Sequence, residues 1–153
     1  MTRFSLLLAL AAGALGSCSP DDGPPEISVA EAWARPTVAG QSSAAAYATI
    51  ANSGGADRLL SAASAATAGA TLHSTEVTDG VARMRPQAEG IPVPAGATVK
   101  LAPGATHIML TGLKAPLQVG DSFELRLRFE RSGEKIVTAR VVDAAATGAH
   151  EGH

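Results

Sequence analysis

Two short stretches of the sequence hold most of its imidazole and thioether groups. The first runs from His73 to Met84, with ten residues between them, and the second is His107-Ile-Met109. The remaining members of these two residue types stand near the ends of the chain: Met1, His150 and His153. Histidine nitrogen and methionine sulfur are ligands of soft transition metals. The two stretches therefore predict a metal site.

A β-hairpin would place the first two candidate ligands on one face. Asp79-Gly80 is a strong signal for a two-residue hairpin loop, and the β-branched residues around it oppose a helix. With that loop, Thr75 faces Met84 across the strands. His73 has the same parity as Thr75, so we expect it on the face of Met84, at a diagonal distance of roughly 7 Å.

His107 and Met109 also share a face if they lie on a strand, because side chains alternate along strands. Two imidazoles and two thioethers make a soft, neutral donor set, which favours Cu(I) over Mg²⁺ or Ca²⁺. The only cysteine, Cys18, precedes the folded part, so a blue-copper centre and a Cys-rich zinc site are both disfavoured. Each ligand is expected at one exposed end of the domain, although a lone Met on a strand is usually core filler.

The elements that must position these residues are short strands. Residues 122–130 alternate apolar and charged side chains, which indicates a strand with one buried face. Residues 135–142 follow across Ser132-Gly133 and are expected to complete a hairpin. Further strand candidates are 27–34, 45–52, 58–64 and 71–77, and the Ala-rich stretch 62–70 is interpreted as strand plus loop. Many short strands with Gly and Pro between them predict an all-β sandwich or barrel.

The composition excludes several function classes. The chain has 153 residues, 46% hydrophobic and 17% charged, which predicts one globular domain. The net charge is -2 and no basic cluster occurs, so the sequence lacks the basic surface that binds nucleic acid and the polybasic patch that binds a membrane surface. The sequence has no Gly-x-Ser-x-Gly motif, nucleotide-binding loop or thiol in the domain, so we expect no enzyme activity.

The N-terminus has the pattern of a secretory signal. Arg3 precedes an apolar run over 4–15, which is shorter than the about 20 residues that span a bilayer. The sequence "LGSC" resembles the bacterial lipoprotein cleavage box, in which the Cys becomes the lipid-bearing N-terminus. The alternative is ordinary cleavage near Ser17, which leaves Cys18 as a free thiol. Both interpretations place the protein outside the cytoplasm, in the periplasm.

These features divide the chain into four parts. Residues 1–17 are the expected signal peptide, cleaved before Cys18, and 18–25 form a Pro-rich tether. Residues 26–143 are the predicted copper-binding β-barrel domain. Residues 144–153 are expected to be a flexible, His-containing tail.

The spacing of the four ligands closely resembles the signature of the periplasmic copper chaperone family PCu(A)C. His73 and Met84 are followed, after twenty-two residues, by His107-x-Met109. The flanks agree: "AWAR" at 32–35, "AAYATI" at 45–50, "GIPVPAGATVKL" at 90–101 and "MLTGLKAPLQVGD" at 109–121. The resemblance spans about 29–142 and implies a cupredoxin-like Greek-key β-sandwich or barrel that binds Cu(I) through the two His and two Met.

The resemblance also implies a role and shows some departures. Family members are thought to help load the dinuclear copper centre of cytochrome c oxidase, alongside Sco-type proteins. The family often has Met directly after the first His, where this chain has Ser74, and the loop before His107 is one residue longer than the common form. Some relatives carry a long His/Met-rich tail for Cu(II), which is here reduced to "GAHEGH", with His150 and His153 as a possible secondary Cu(II) site.

The expected function is an extracytoplasmic, monomeric Cu(I) chaperone, held at the membrane by a lipid anchor. Copper buffering or detoxification would need the same site. A non-metal lipoprotein of assembly or adhesion type, with an incidental cluster of His and Met, is the other alternative. Arg83 and Arg85 flank Met84 on the opposite face, where they could dock an acidic partner or form a solvated charged surface.

Overall fold

The structure is a computed structural model that describes residues 23–143. This part folds as ten strands without a helix, so the predicted all-β sandwich is confirmed. Within it, no helix could cross a membrane.

Several predicted features lie outside the described residues: the expected signal peptide 1–17, the candidate lipidation residue Cys18, and the tail 144–153 with His150 and His153. The strands are β1 Ile27–Ala34, β2 Ser43–Asn52, β3 Asp57–Ala63, β4 Thr67–Thr78, β5 Val81–Pro86, β6 Ile91–Val93, β7 Thr98–Leu101, β8 His107–Leu113, β9 Ser122–Phe129 and β10 Gly133–Val141.

The strands form one curled sheet in the order β5-β4-β8-β2-β1-β10-β9-β3-β6, with β7 paired to β2. Only the pairing of β1 with β10 is parallel among these strands. The long strand β2 pairs with β8 along its first half and with β7 along its second half. Contacts between β3 and β4 bring distant parts of the sheet together, which encloses a core.

Alternating strands supply that core. In β9 the four apolar residues are buried and the charged residues between them are exposed, as predicted. The interior is mainly aliphatic, because the sequence has few aromatic residues, and its fully buried large side chains come from several strands: Phe129, Ile50, Leu59, Ile108, Leu110, Leu125, Leu127, Val93 and Val141. The Ala-rich stretch divides as expected, since β3 ends at Ala63 and β4 begins at Thr67.

The turn between β9 and β10 differs slightly from the prediction. Gly133 already pairs with Phe129, so residues 130–132 make the turn instead of Ser132-Gly133. Asp57 explains the difference, because its carboxylate accepts hydrogen bonds from the backbone N–H groups of Arg131 and Ser132, each at 2.9 Å, and from the Ser132 hydroxyl. A side chain from β3 therefore shapes a turn that lies far along the chain.

Asp57 should also make the fold sensitive to acid. Burial alone raises the pKa of Asp57, but hydrogen bonds from Ser132, Arg131 and Arg58 outweigh it, and the pKa lies below its ordinary value. Its contribution to stability is complete above about pH 3.9, the ordinary value of unfolded aspartate, and disappears as pH falls through the lower folded-state value. Urea unfolding should show Asp57→Asn less stable than wild type at pH 7, with a smaller difference near pH 2. An equal difference at both pH values would contradict this account.

Asn52 fastens the start of the domain to the end of β2. Its side chain is buried, and its Nδ2 donates to the carbonyls of Gly55 at 2.7 Å and Val93 at 3.2 Å. Its Oδ1 accepts from the backbone N–H groups of Gly54 at 3.0 Å and Glu26 at 3.2 Å. One side chain thus joins the approach to β1, the turn after β2 and the end of β6.

Candidate metal centre

The strand register brings the four candidate ligands to one face of the sheet. His73 of β4 lies directly opposite His107 of β8, and Met109 lies opposite Thr71. On the other side of β4, Thr75 lies opposite Met84 of β5, as the hairpin prediction required. Residues directly opposite in an antiparallel pair share a face, and positions two apart on a strand do so as well. The histidines and methionines therefore share one surface formed by β5, β4 and β8.

The two imidazole rings lie side by side on this surface. Their centroids are 6.0 Å apart and the rings are tilted by 36°. Because a metal–imidazole bond is about 2 Å long, one ion between the rings could bind both.

His107 is held in place by the backbone of the preceding loop. Its Nδ1 lies 3.1 Å from the carbonyl oxygen of Ala105. A carbonyl can only accept, so Nδ1 carries the hydrogen, and in the neutral ring Nε2 then holds the lone pair for a metal. The same carbonyl accepts the backbone N–H of Thr75 at 3.2 Å. The expectation that every ligand is exposed is wrong for His107, which is only 5% exposed, because the ring turns toward this loop.

The other three candidate ligands are more accessible than His107. Met109 is half-buried, between Thr71 on β4 and Ala45 on β2. His73 is also half-buried, and its Nδ1 makes only a long 3.5 Å contact with the hydroxyl of Thr71. Met84 is 58% exposed on the edge strand. The site thus has a fixed, sheltered side on β8 and an open side on β5.

Among the described residues, acidic side chains are not grouped on the face that carries the candidate ligands. Residues 23–143 contain no group of three or more His, Cys, Asp and Glu side chains that could hold a metal ion. The nearest acid on the hairpin, Glu76, pairs with Arg85 at 2.8 Å, and both lie on the opposite face by parity. The candidate donors are therefore imidazole nitrogen and thioether sulfur without a carboxylate, which suits a soft cation.

The candidate ligands lie on one face of the sheet. A groove of about 470 Å³ lies at the ends of β9 and β10 and includes none of the four ligands. A smaller groove of about 300 Å³, mainly apolar, borders the site at Thr71 and Pro86.

The sequence did not predict the contacts of Thr71 and Ala105 with the two histidines. Parity with His73 could have indicated Thr71, whereas a backbone carbonyl such as that of Ala105 leaves no signal in the sequence.

The sequence matches known proteins across this domain. Residues 27–141 match the LpqE-like family, which is described as "Putative lipoprotein LpqE-like". The chain is 37% identical over 128 residues to "Putative lipoprotein Lxx21020" of Leifsonia xyli subsp. xyli, which covers 83% of this chain and 75% of that protein. It is 31% identical over 115 residues to "Uncharacterized protein RP573" of Rickettsia prowazekii, covering 72% of this chain and 64% of that protein.

Solved structures with the same fold carry related sequences. The "Copper-bound PCuAC domain from PmoF2" is similar with a TM-score of 0.64 and 27% identity, covering 76% of this chain and 92% of that one. The "Solution structure of CuI-DR1885 from Deinococcus Radiodurans" is similar with a TM-score of 0.61 and 28% identity, covering 74% and 76%. The expected resemblance is confirmed: the chain belongs to the LpqE-like family and has the fold of PCuAC domains.

Proposed function

We propose that this protein is an extracytoplasmic, non-enzymatic chaperone that binds one Cu(I) through His73, Met84, His107 and Met109. The observation that carries the proposal is the register of β5, β4 and β8, which gathers two imidazoles and two thioethers on one face. Two of the similar structures are described as copper-bound and Cu(I) forms, which supports the same metal here.

The donor set predicts the metal preference. We expect one Cu(I) per domain with mixed nitrogen and sulfur coordination, and much weaker Zn(II) binding, because thioether sulfur selects Cu(I). An anaerobic titration with X-ray absorption spectroscopy would measure the stoichiometry and count sulfur against nitrogen neighbours. Zinc binding as tight as that of Cu(I) at this site would exclude the proposal.

Delivery is favoured over buffering because one side of the site is open. Met84 is exposed at the sheet edge, so an incoming ligand can reach a bound ion from that side while His107 still holds it. We propose transfer to a respiratory copper enzyme, namely the dinuclear centre of cytochrome c oxidase, directly or through a Sco-type protein, by a monomeric chaperone.

A growth experiment separates delivery from protection. A deletion strain should lose copper-oxidase activity at scarce copper and regain it when copper is added. Normal respiration at scarce copper combined with faster death in excess copper would instead identify a protective buffer.

The proposed location is the periplasmic membrane surface, through a lipid on Cys18. The name of the Leifsonia relative contains "lipoprotein", as does the family description, and both support this reading. Cys18→Ser should therefore move the protein from the membrane fraction to the soluble fraction or block its processing. Mass spectrometry of the native protein should find acyl chains on Cys18.

His150 and His153 remain a proposed secondary Cu(II) site.

A further inference from the structure

The edge strand β5 carries Met84 and has a free side. β5 is the terminal strand of the sheet and pairs with β4 alone among the described strands. All six of its residues are exposed. An edge strand offers a row of backbone N–H and C=O groups to which another extended segment can add. Here that row runs alongside a copper ligand.

The hairpin turn determines which backbone groups point to the free side. Asp79 and Gly80 both have positive φ, 53° and 75°, and Thr78 pairs with Val81 directly across this two-residue loop. In such hairpins the pair next to the loop exchanges hydrogen bonds, and bonded and non-bonded pairs then alternate. Ala82 and Met84 therefore direct their N–H and C=O groups away from β4. Pro86, which lacks an N–H, occupies the next outward position, as is common on edge strands.

The two faces of β5 differ in chemistry. Met84 and Ala82 belong to the face of the metal ligands, together with Val77, which lies opposite Ala82 and is 68% exposed. Arg83 and Arg85 belong to the other face, where Glu76 on β4 is the acidic neighbour. The hairpin thus has an apolar face with a soft ligand and an opposite face with an excess of positive charge.

A second copy of the chain fits this edge poorly. Antiparallel pairing of two β5 strands about Met84 would set Arg83 of each copy against Arg85 of the other, and like charges directly opposite are destabilising. A segment with an acidic residue on either side of the position facing Met84 would place both acids against the arginines. The residue between them would lie on the metal face, with its Cβ about 5 Å from that of Met84.

We propose that β5 receives an extended acidic segment of the copper acceptor as an added strand. The acidic side chains lie against Arg83 and Arg85, and the residue between them is a soft ligand beside Met84. The copper step of this docking rests on the proposed function, whereas the strand addition itself does not require copper.

Hydrogen exchange in the metal-free protein tests the docking directly. The probe is a synthetic peptide with a Glu-Met-Glu core flanked by Val and Thr, and the control peptide has a Lys-Met-Lys core. We expect the Glu peptide to slow exchange of the Ala82 and Met84 amides by about 10-fold or more, because these amides gain hydrogen-bond partners. The Lys peptide should leave them unchanged.

Two protein variants separate backbone pairing from charge. Ala82→Pro removes an outward N–H without removing a bond to β4, whereas Ala82→Ser keeps that N–H as a control. Arg83→Glu should weaken peptide binding about 10-fold by placing like charges opposite each other, and Lys100→Glu, on β7, should not. If Ala82→Pro disturbs the hairpin, the pair Arg83→Glu and Lys100→Glu still decides the question.

Three results would overturn the proposal: no slowing at Ala82 and Met84, equal slowing by both peptides, or slowing that depends on protein concentration without peptide. The last would identify a second copy as the occupant. A Cu(I) titration of the same samples distinguishes the two proposals. Wild type and Arg83→Glu should bind Cu(I) equally, and a wild type that is protected by the peptide but binds no Cu(I) would refute only the proposed function.

Discussion

Replacing His107 with alanine will lower the Cu(I) affinity of the domain by more than about 100-fold, because groups that merely orient a ligand are typically worth 10- to 100-fold. His107 is the most sheltered of the four candidate ligands, and the Ala105 carbonyl fixes which of its nitrogens carries the hydrogen. Met84→Ala should have a smaller effect, about 10-fold, since this exposed side chain gains order only when it binds.

The measurement is an anaerobic competition with a chelator whose Cu(I) complex is coloured, such as bicinchoninate. Because His107 is buried, thermal unfolding must show that the variant is folded, and His107→Gln offers a polar replacement of similar size. Ile136→Ala is the matched control for Met84→Ala, since Ile136 is 55% exposed on β10 and remote in strand order. Unchanged affinity in a folded His107 variant would mean that the metal binds elsewhere.

Asn52→Ala should lower the free energy of unfolding by about 3 kcal/mol, since each buried polar group left without a partner costs about 1–3 kcal/mol. The substitution removes the donor for the Gly55 and Val93 carbonyls and the acceptor for the Gly54 and Glu26 amides. Some of these backbone groups will find water at the domain end, which keeps the expected loss below the sum over all of them.

Urea unfolding at neutral pH measures this loss. Ser53→Ala is the matched control, because its hydroxyl bonds the exposed carboxylate of Glu26 at 2.9 Å and should contribute little. Asn52→Asp keeps the acceptor and loses the donor, so it should fall on the destabilised side as well. Equal stability of Asn52→Ala and Ser53→Ala would show that the Asn52 network does not hold the domain together.

Local sequence patterns predicted the structural features that depend on residues close together in the chain. The alternation in β9 predicted its buried face, and Asp79-Gly80 predicted the register that sets Thr75 opposite Met84. The first follows from the alternation of side chains along a strand, and the second from the length of the hairpin loop. The residue pattern also predicted the all-β fold class and the four candidate ligands, and the family resemblance added the cupredoxin-like Greek-key topology.

The remaining features depend on which distant segments meet. Nothing in the sequence pattern says that β8 inserts between β4 and β2, yet this insertion sets His73 opposite His107. The burial of His107 follows from a loop carbonyl, and the turn before β10 follows from Asp57 on β3. Backbone hydrogen-bond acceptors and pairings between distant strands leave no repeating pattern in the sequence. The alternation of side chains therefore could not predict them.

The Ala105 carbonyl has a mechanical consequence. It accepts from both the Thr75 backbone and the His107 ring, so the β4–β5 hairpin and the most sheltered candidate ligand share one attachment. An ion held by Met84 and His107 would link β5 to β8, two strands away in the sheet, and would thereby make the β4–β5 hairpin more rigid. A metal-free domain and a copper-bound one would then differ in the rigidity of this hairpin. A partner that binds this hairpin would therefore meet a more rigid surface when copper is bound than when it is absent.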